Sequence, residues 1–416
     1  MREGRLPEET IDRRVADVLR VKMRLGLFDQ PYVEDPGAAA DRVRSDSAEA
    51  LALRAARESL VLLKNESNAL PLDASDLENV LVAGPMGNAT EHAMTRYGPS
   101  GLEVSTILEG VRSHVGPGVN VRFAEGVAEV GPDWPEVELS PNEPVPDSVQ
   151  ARIERAADEA AASDVVIAAL GGHVTVGESK SRTSLELPGH QQALLRALHA
   201  TGTPVVLVLV SGRPLTVNWA DAHVPAILEA WFPGRRTGQV VAEALFGAYN
   251  PGGKLSVGFP KSVGQIPYNF PTKRGAQGPQ GEWTEQQSRV EGFLYPFGHG
   301  LTYTTFAYSN LQISPLEQQP AGTVTVTFEV TNTGDRAGDV VPQLYVRDTI
   351  SSVVYYEKQL RGFDRITLDS GETRTVTFVL GPEDLQLLDR HMEWTVEEGR
   401  FEVQVGSSSQ DVRLQG

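Results

Sequence analysis

The segment from Leu170 to Gly189, LGGHVTVGESKSRTSLELPG, gathers the side chains best suited to chemistry in this chain. Apolar residues end at Gly171 and Gly172, a polar loop with Glu178, Lys180 and Arg182 follows, and Pro188 reads as a helix start. A carboxyl group on such a loop is placed to give or take a proton, because ligands of open α/β sheets gather beyond the carboxyl ends of the strands. The same composition also describes an ordinary solvated loop, since loops are polar and Glu is usually exposed. His173, after the glycine pair, either lines a pocket or is a plain loop residue. Other signatures are missing: there is no G-x-S-x-G, Walker loop or H-E-x-x-H, and Gly84 to Gly87 has the wrong spacing for a dinucleotide fingerprint. The absence of Cys rules out thiol nucleophiles and thiolate zinc sites, and the 8 His are scattered, so no metal site is expected.

Such a loop needs a sheet beneath it, and the flanking pattern supplies one. From Ser47 onward helical and strand patterns alternate: a helix to about Leu63, a strand Val80–Ala83, a helix Ile107–Val115, a strand Val119–Phe123 and a helix Ser148–Ala162. The rhythm continues with a strand Val165–Leu170, a helix opening at Pro188, strands Val205–Val210 and Ala226–Ala230, and a helix closing at Gly247. Gly202 and Gly247 sit where C′ caps belong. Short Val, Ile and Leu runs without clean alternation suit a mostly parallel sheet covered on both faces, so an α/β sandwich domain is expected over 47–270.

A Pro/Gly/Gln-rich region from Pro251 to Glu282 then ends the periodicity, and 271–305 reads as a connecting segment. From Phe306 the chain becomes β. Thr323–Thr331 alternates as TVTVTFEVT, and Val340–Val346, Thr373–Leu380, Glu393–Val396 and Phe401–Val405 follow with Asn-Thr-Gly and Asp-Ser-Gly turns between them. This spacing predicts a small antiparallel sandwich over 306–416. Its sequence establishes no exposed aromatic platform, so a supporting role is expected for it in preference to carbohydrate binding.

Ahead of the sheet, Pro7 to Leu25 reads as one amphipathic helix with Ile11, Val15, Val18 and Leu25 on its apolar stripe. The loop-like stretch Pro31–Asp41 puts no core beside it, so the stripe's partner surface is expected upstream. The 416 residues hold 55 acidic against 37 basic side chains, a net charge of -18 that repels phosphate backbones and anionic lipid. Neither nucleic acid nor membrane is expected as a partner. The longest apolar run, Val205–Val210, has the length of a strand and not of a membrane span. The opening MREGRLPEET carries acidic residues where a signal peptide needs an apolar stretch.

A set of longer segments narrows this reading. They are Ile11–Asp29 with VADVLRVKMRLGLFD, AARESLVLLKNE at Ala55–Glu66, SDVVIAALGG at Ser163–Gly172, GESKSR at Gly177–Arg182 and LPGHQQALLRAL at Leu187–Leu198. VLVLVSGRPL at Val206–Leu215, AILEAWFPG at Ala226–Gly234, ALFGAYNPGGKLSVGFPKSVGQIP at Ala244–Pro267 and YPFGHGLTYTTF at Tyr295–Phe306 follow, and then VTNTGDRAGDVVPQLYVRD in the β tail. In this order they resemble the C-terminal part of glycoside hydrolase family 3, the β-glucosidase and β-xylosidase family, from end to end of the chain.

The resemblance implies an enzyme of three parts: a (β/α)8-like barrel, an α/β sandwich and a fibronectin type III-like domain. Only the last two match here, with 1–46 resembling the barrel's terminal helix and linker. In that family the barrel supplies the aspartate nucleophile and most sugar contacts, and the sandwich loop supplies the general acid/base, which by motif position is Glu178. Retaining hydrolysis sets two such carboxyl groups about 5–5.5 Å apart, so one of them alone cannot complete the reaction. The family needs no cofactor, and its substrates are β-linked glucosides or xylosides. Arg182 is expected to pair with a carboxylate or anchor the loop, with substrate contact as the other role. Arg96 and Tyr97, in MTRYGPSG, match a loop that approaches the leaving-group side, and simple loop packing explains them equally. Full-length members of this build are often periplasmic or secreted. The competing expectation is a carbohydrate-binding or assembly module that kept the fold without catalysis.

Overall fold

The computed structural model describes residues 6–33, 35, 37–38, 45–90, 103–130, 144–172, 183–267, 269–273, 290 and 292–416. It divides into two units, residues 1–54 and 55–416. In the first, helix α1 (Glu8–Arg24) has Glu8 and Glu9 in its first turn and Lys22 and Arg24 in its last, signs that complement the helix dipole. None of its residues is buried, and Val15, Val18 and Leu25 stand exposed on the predicted stripe.

Helix α2 (Asp46–Ser59) leads to strand β1 (Val61–Asn65). The sequence predicts helix as far as Leu63; the structure corrects this, because Val61 to Leu63 are extended and buried at the edge of a sheet. There β1 pairs antiparallel with β6 (Ala226–Glu229), and this long-range pairing overrides the helical run of Ala and Leu. The other strands are β2 (Asn79–Ala83), β3 (Asn120–Ala124), β4 (Val165–Gly171) and β5 (Val205–Val210), in the order β1-β6-β5-β4-β2-β3. All pairings except β1–β6 are parallel.

Parallel strands need crossover helices, and these are α3 (Ile107–Val115), α4 (Asp147–Ala161), α5 (Gln191–Ala200) and the short α6 (Asn218–His223), while α7 (Thr237–Leu245) follows the last strand. Ile153, Ala156 and Ala160 of α4 and Leu194, Leu195 and Leu198 of α5 pack on Leu81, Ala168, Leu207 and Ile227. The alternate strand residues Val82, Ile167 and Val208 are equally buried outside that cluster, as are Ile107 and Val111 of α3 and Val240 and Val241 of α7. Both sheet faces are therefore covered, which is why Val205–Val210 reads as a continuous apolar run. Helix α5 starts at Gln191 and not at Pro188, because Gly189 turns the chain at φ 58° before it. Gly202 and Gly247, at φ 81° and 76°, occupy the predicted C′ positions.

The β tail is a sandwich. Strands β7 (Phe306–Ser314), β8 (Val324–Asn332) and β13 (Thr373–Leu380) form one sheet, while β10 (Gln343–Asp348), β11 (Gln359–Phe363), β16 (Phe401–Gly406) and β17 (Val412–Gln415) form another. The short pair β9 (Gly338–Val340) and β12 (Ile366–Leu368) lies apart, and the predicted Val340–Val346 strand is split by Pro342 into β9 and β10. Val326, Phe328 and Val330 of β8 meet Leu344, Val346, Val403 and Val405 in the core, as alternation on β8 requires. A one-turn helix α8 (Pro382–Leu385) and the minimal hairpin β14 (Leu387–Leu388) with β15 (Trp394–Thr395) complete it.

Polar contacts tie the α/β core to the connecting segment and, through Asn250–Ala337, Tyr249–Arg365 and Gly298–Gln343, to the sandwich. Asn250 accepts from the Thr302 hydroxyl and Tyr303 N–H at 2.7 Å each and donates to the Ala337 carbonyl at 3.1 Å. Tyr303 donates its hydroxyl to the Ala244 carbonyl at 2.7 Å. Arg365 binds Asp339 through Nε at 2.8 Å and Nη2 at 2.6 Å, and reaches the Tyr249 hydroxyl at 3.0 Å. Gln343 donates to the carbonyls of Gly298 at 3.0 Å and Ser407 at 2.7 Å. Among the described residues no helix is long and apolar enough to cross a membrane.

Candidate functional site

His173, Glu178 and Arg182 of the central loop, and Arg96 and Tyr97 of the second loop, all lie outside the described residues. What the structure describes is the ground from which the central loop springs. Strand β4 ends at Gly171, whose φ is 149°, and a Cβ there would fall 1.9 Å from the Val210 carbonyl oxygen of β5. Only glycine fits so close a passage. Both backbone groups of Gly171 are held by one side chain: its N–H donates to Gln191 Oε1 at 2.8 Å, and Gln191 Nε2 donates to its carbonyl at 2.9 Å. Gln191 is wholly buried at the first turn of α5, so this amide is locked. Gly172 N–H then donates to Val210 O at 3.1 Å.

The returning end of the loop is fixed as well. Leu185 O accepts from Thr216 N–H at 2.8 Å, just past β5, and Leu187 is buried in the core beneath α5. The two ends thus meet the sheet at adjacent strands, at the carboxyl edge where ligands of open α/β sheets bind. Gln191 was not legible as a positioning residue, since a Gln at a helix start has no distinguishing pattern; its burial is a tertiary fact.

A second buried group lies on the same edge. Glu229, the last residue of β6, has no exposed surface; Oε1 accepts the Trp231 N–H at 2.8 Å, and Oε2 has no hydrogen-bond partner among the described residues. Burial pushes its pKa well above the ordinary carboxylate range, against a smaller opposite effect of the Trp231 N–H. Trp231 itself turns at φ 58° and packs edge-on to Phe259 with ring centroids 6.1 Å apart, while Phe232 covers Gly212. Trp231 therefore serves the core.

Since the folded-state pKa of Glu229 exceeds the unfolded one, its contribution to stability is complete below the unfolded value and is lost as pH rises toward the folded value. Glu229→Gln keeps an oxygen for Trp231 N–H and cannot ionise. It is expected to match the parent near pH 4 and exceed it by about 1–2 kcal/mol near pH 8, the scale of a buried polar group's desolvation. Urea denaturation at the two pH values checks this, and parallel pH curves for parent and variant would refute it.

The geometry defines an α/β protein continued into a β-sandwich. Residues 60–303 match the Glycosyl hydrolase family 3 C-terminal domain and residues 340–409 match the Fibronectin type III-like domain. The chain belongs to glycosyl hydrolase family 3. It is 38% identical over 410 residues to a β-xylosidase of Formosa agariphila, covering 96% of this chain and 54% of that protein. It is also 38% identical over 430 residues to a periplasmic β-glucosidase of Salmonella typhimurium, covering 99% of this chain and 56% of that one. A solved β-glucosidase of Erythrobacter marinus superposes with a TM-score of 0.87 at 35% identity, over 100% of this chain and 56% of that structure. The chain thus spans about half the length of the curated relatives it matches.

Proposed function

We propose that this chain supplies the general acid/base of a retaining β-glycosidase acting on terminal β-D-glucosyl or β-D-xylosyl residues, with Glu178 as that group. A barrel domain, in cis or in trans, brings the nucleophilic carboxylate. The observation that carries the reading is GESKSR, set on a loop whose two ends are fixed at the carboxyl edge of a family 3 sheet. Membership of the family and the named relatives support the substrate class.

In the proposed cycle Glu178 first protonates the departing glycosidic oxygen, and after a covalent glycosyl–enzyme forms on the nucleophile it takes a proton from the attacking water. For that work its pKa must rise toward neutrality through burial and the nucleophile's negative charge, both of which arrive with the barrel. Arg182, four residues on, is assigned to hold the loop. Arg96 and Tyr97 are assigned to the leaving-group side of the pocket, and His173 to its lining.

The chain by itself is expected to turn over neither p-nitrophenyl β-glucoside nor p-nitrophenyl β-xyloside above a buffer control. Steady hydrolysis that disappears in Glu178→Ala would place a second carboxylate within these residues and overturn the division of labour.

A further inference from the structure

The β-sandwich carries a groove of about 430 Å³ that the glycosidase reading does not use. It lies between the 353–356 segment, β11, α8 and the β14–β15 hairpin, and its size falls within the roughly 300–1,000 Å³ of small-ligand sites. Three aromatic residues line it: Tyr355, Tyr356 and Trp394. Trp394, directly across the hairpin from Leu388, is 65% exposed, and Val354 at the groove is 73% exposed. The indole is thus largely unburied, although burial is the chief stabilising use of so large a ring.

The polar groups are arranged around these rings. The Tyr355 hydroxyl donates to Gln359 Oε1 at 2.7 Å and to the Gln386 carbonyl at 3.2 Å, and Arg361 Nη2 donates to Gln359 Oε1 at 2.6 Å. Arg361 Nε is buried with no hydrogen-bond partner among the described residues. The Tyr355 and Tyr356 rings stand 5.5 Å apart at 58°, and the backbones of Tyr356 and Lys273 form an isolated bridge that ties this segment down. Lys273, Arg361 and Glu383 line the groove, with the Lys273 ammonium 5.9 Å from the Tyr356 ring centroid, so a polycation is disfavoured. The open indole of Trp394, with hydrogen-bonding groups of Tyr355, Gln359 and Arg361 beside it, complements a neutral ring that has an apolar C–H face and a rim of hydroxyls. A β-linked glucosyl or xylosyl unit has that shape, because its hydroxyls are equatorial and its C–H bonds axial.

We propose that this groove is an accessory binding site for β-linked gluco- or xylo-oligosaccharides, with one sugar stacked on Trp394 and its hydroxyls met by the Tyr355–Gln359–Arg361 network. It holds a glycan without cleaving it, and does so whether or not Glu178 is the acid/base. Titration of the 416-residue chain with cellohexaose and with xylohexaose, by calorimetry and tryptophan fluorescence, tests this. The expected result is saturable binding of at least one of them. Trp394→Ala should weaken it about five- to tenfold, the scale of one lost aromatic contact, while Trp394→Phe retains most of it. Binding should be the same in Glu178→Ala, which separates the groove from the central loop. Circular dichroism unchanged in Trp394→Ala shows that the fold is intact. No binding at millimolar sugar, equal binding in Trp394→Ala, or self-association of the parent that Trp394→Ala abolishes would each overturn the proposal.

Discussion

Glu178→Ala, in enzyme completed by the proposed barrel, is expected to slow hydrolysis of cellobiose by about 10²–10⁴-fold, the usual contribution of a positioned acid/base. The loss should be far smaller for the first step on a p-nitrophenyl glycoside. A sugar leaving group departs as a poor alkoxide unless protonated, whereas p-nitrophenolate leaves unaided. The second step still needs a base to activate water, so the covalent glycosyl–enzyme accumulates and a burst of nitrophenol precedes slow turnover. Azide needs no deprotonation and should restore turnover by attacking that intermediate. Equal losses on both substrates with no effect of azide would show that Glu178 merely holds its loop.

Gly238→Ala is expected to destabilise the folded chain by about 3 kcal/mol, at the upper end of overpacking costs. An exposed helical Gly replaced by Ala normally gains up to about 1 kcal/mol from helix propensity, so the sign itself is diagnostic. The reversal comes from how α3 and α7 meet. A Cβ on Gly238 would lie 1.9 Å from the Thr106 carbonyl oxygen, and a Cβ on Gly110 would lie 1.9 Å from that of Gly238. Both obstacles are backbone, and Thr106 is fixed in its turn by a capping box with Glu109, so neither yields cheaply. Gly118→Ala, where a Cβ meets nothing within 4 Å, is the control and should leave the urea midpoint nearly unchanged. A Gly238→Ala midpoint equal to that of the control would refute the close approach.

The sheet was largely legible because its strands are short apolar blocks between well-punctuated helices. Ile107–Val115, Val205–Val210 and Thr373–Leu380 fall where their patterns place them. β1 was hidden because AARESLVLL continues a helical apolar pattern, and only the edge of β6, far along the chain, makes Val61–Leu63 extended. β7 alternates but carries Ser, Asn and Gln among its apolar residues, which weakens its signal. The acid/base candidate was legible only through the resemblance of GESKSR, since a Glu in a polar loop has no signature of its own. Gln191 and Glu229 escaped for the opposite reason: each is ordinary in sequence and exceptional in its burial. Trp394 escaped because exposure, like burial, is decided by distant packing.

The contacts of Asn250 and Arg365 also bear on how separable the two domains are. YNPGG, one of the strings that carry the family likeness, is where the α/β core meets the sandwich, through Asn250 to Ala337 and Tyr249 to Arg365. A β-sandwich strung on a flexible tether can be shuffled between genes as a self-sufficient bead. This one is tied down: its removal strips the Ala337 carbonyl from Asn250 and the Arg365 guanidinium from Tyr249 on the α/β side. Its place beside the sheet is thus held by polar bonds that neither domain can satisfy alone.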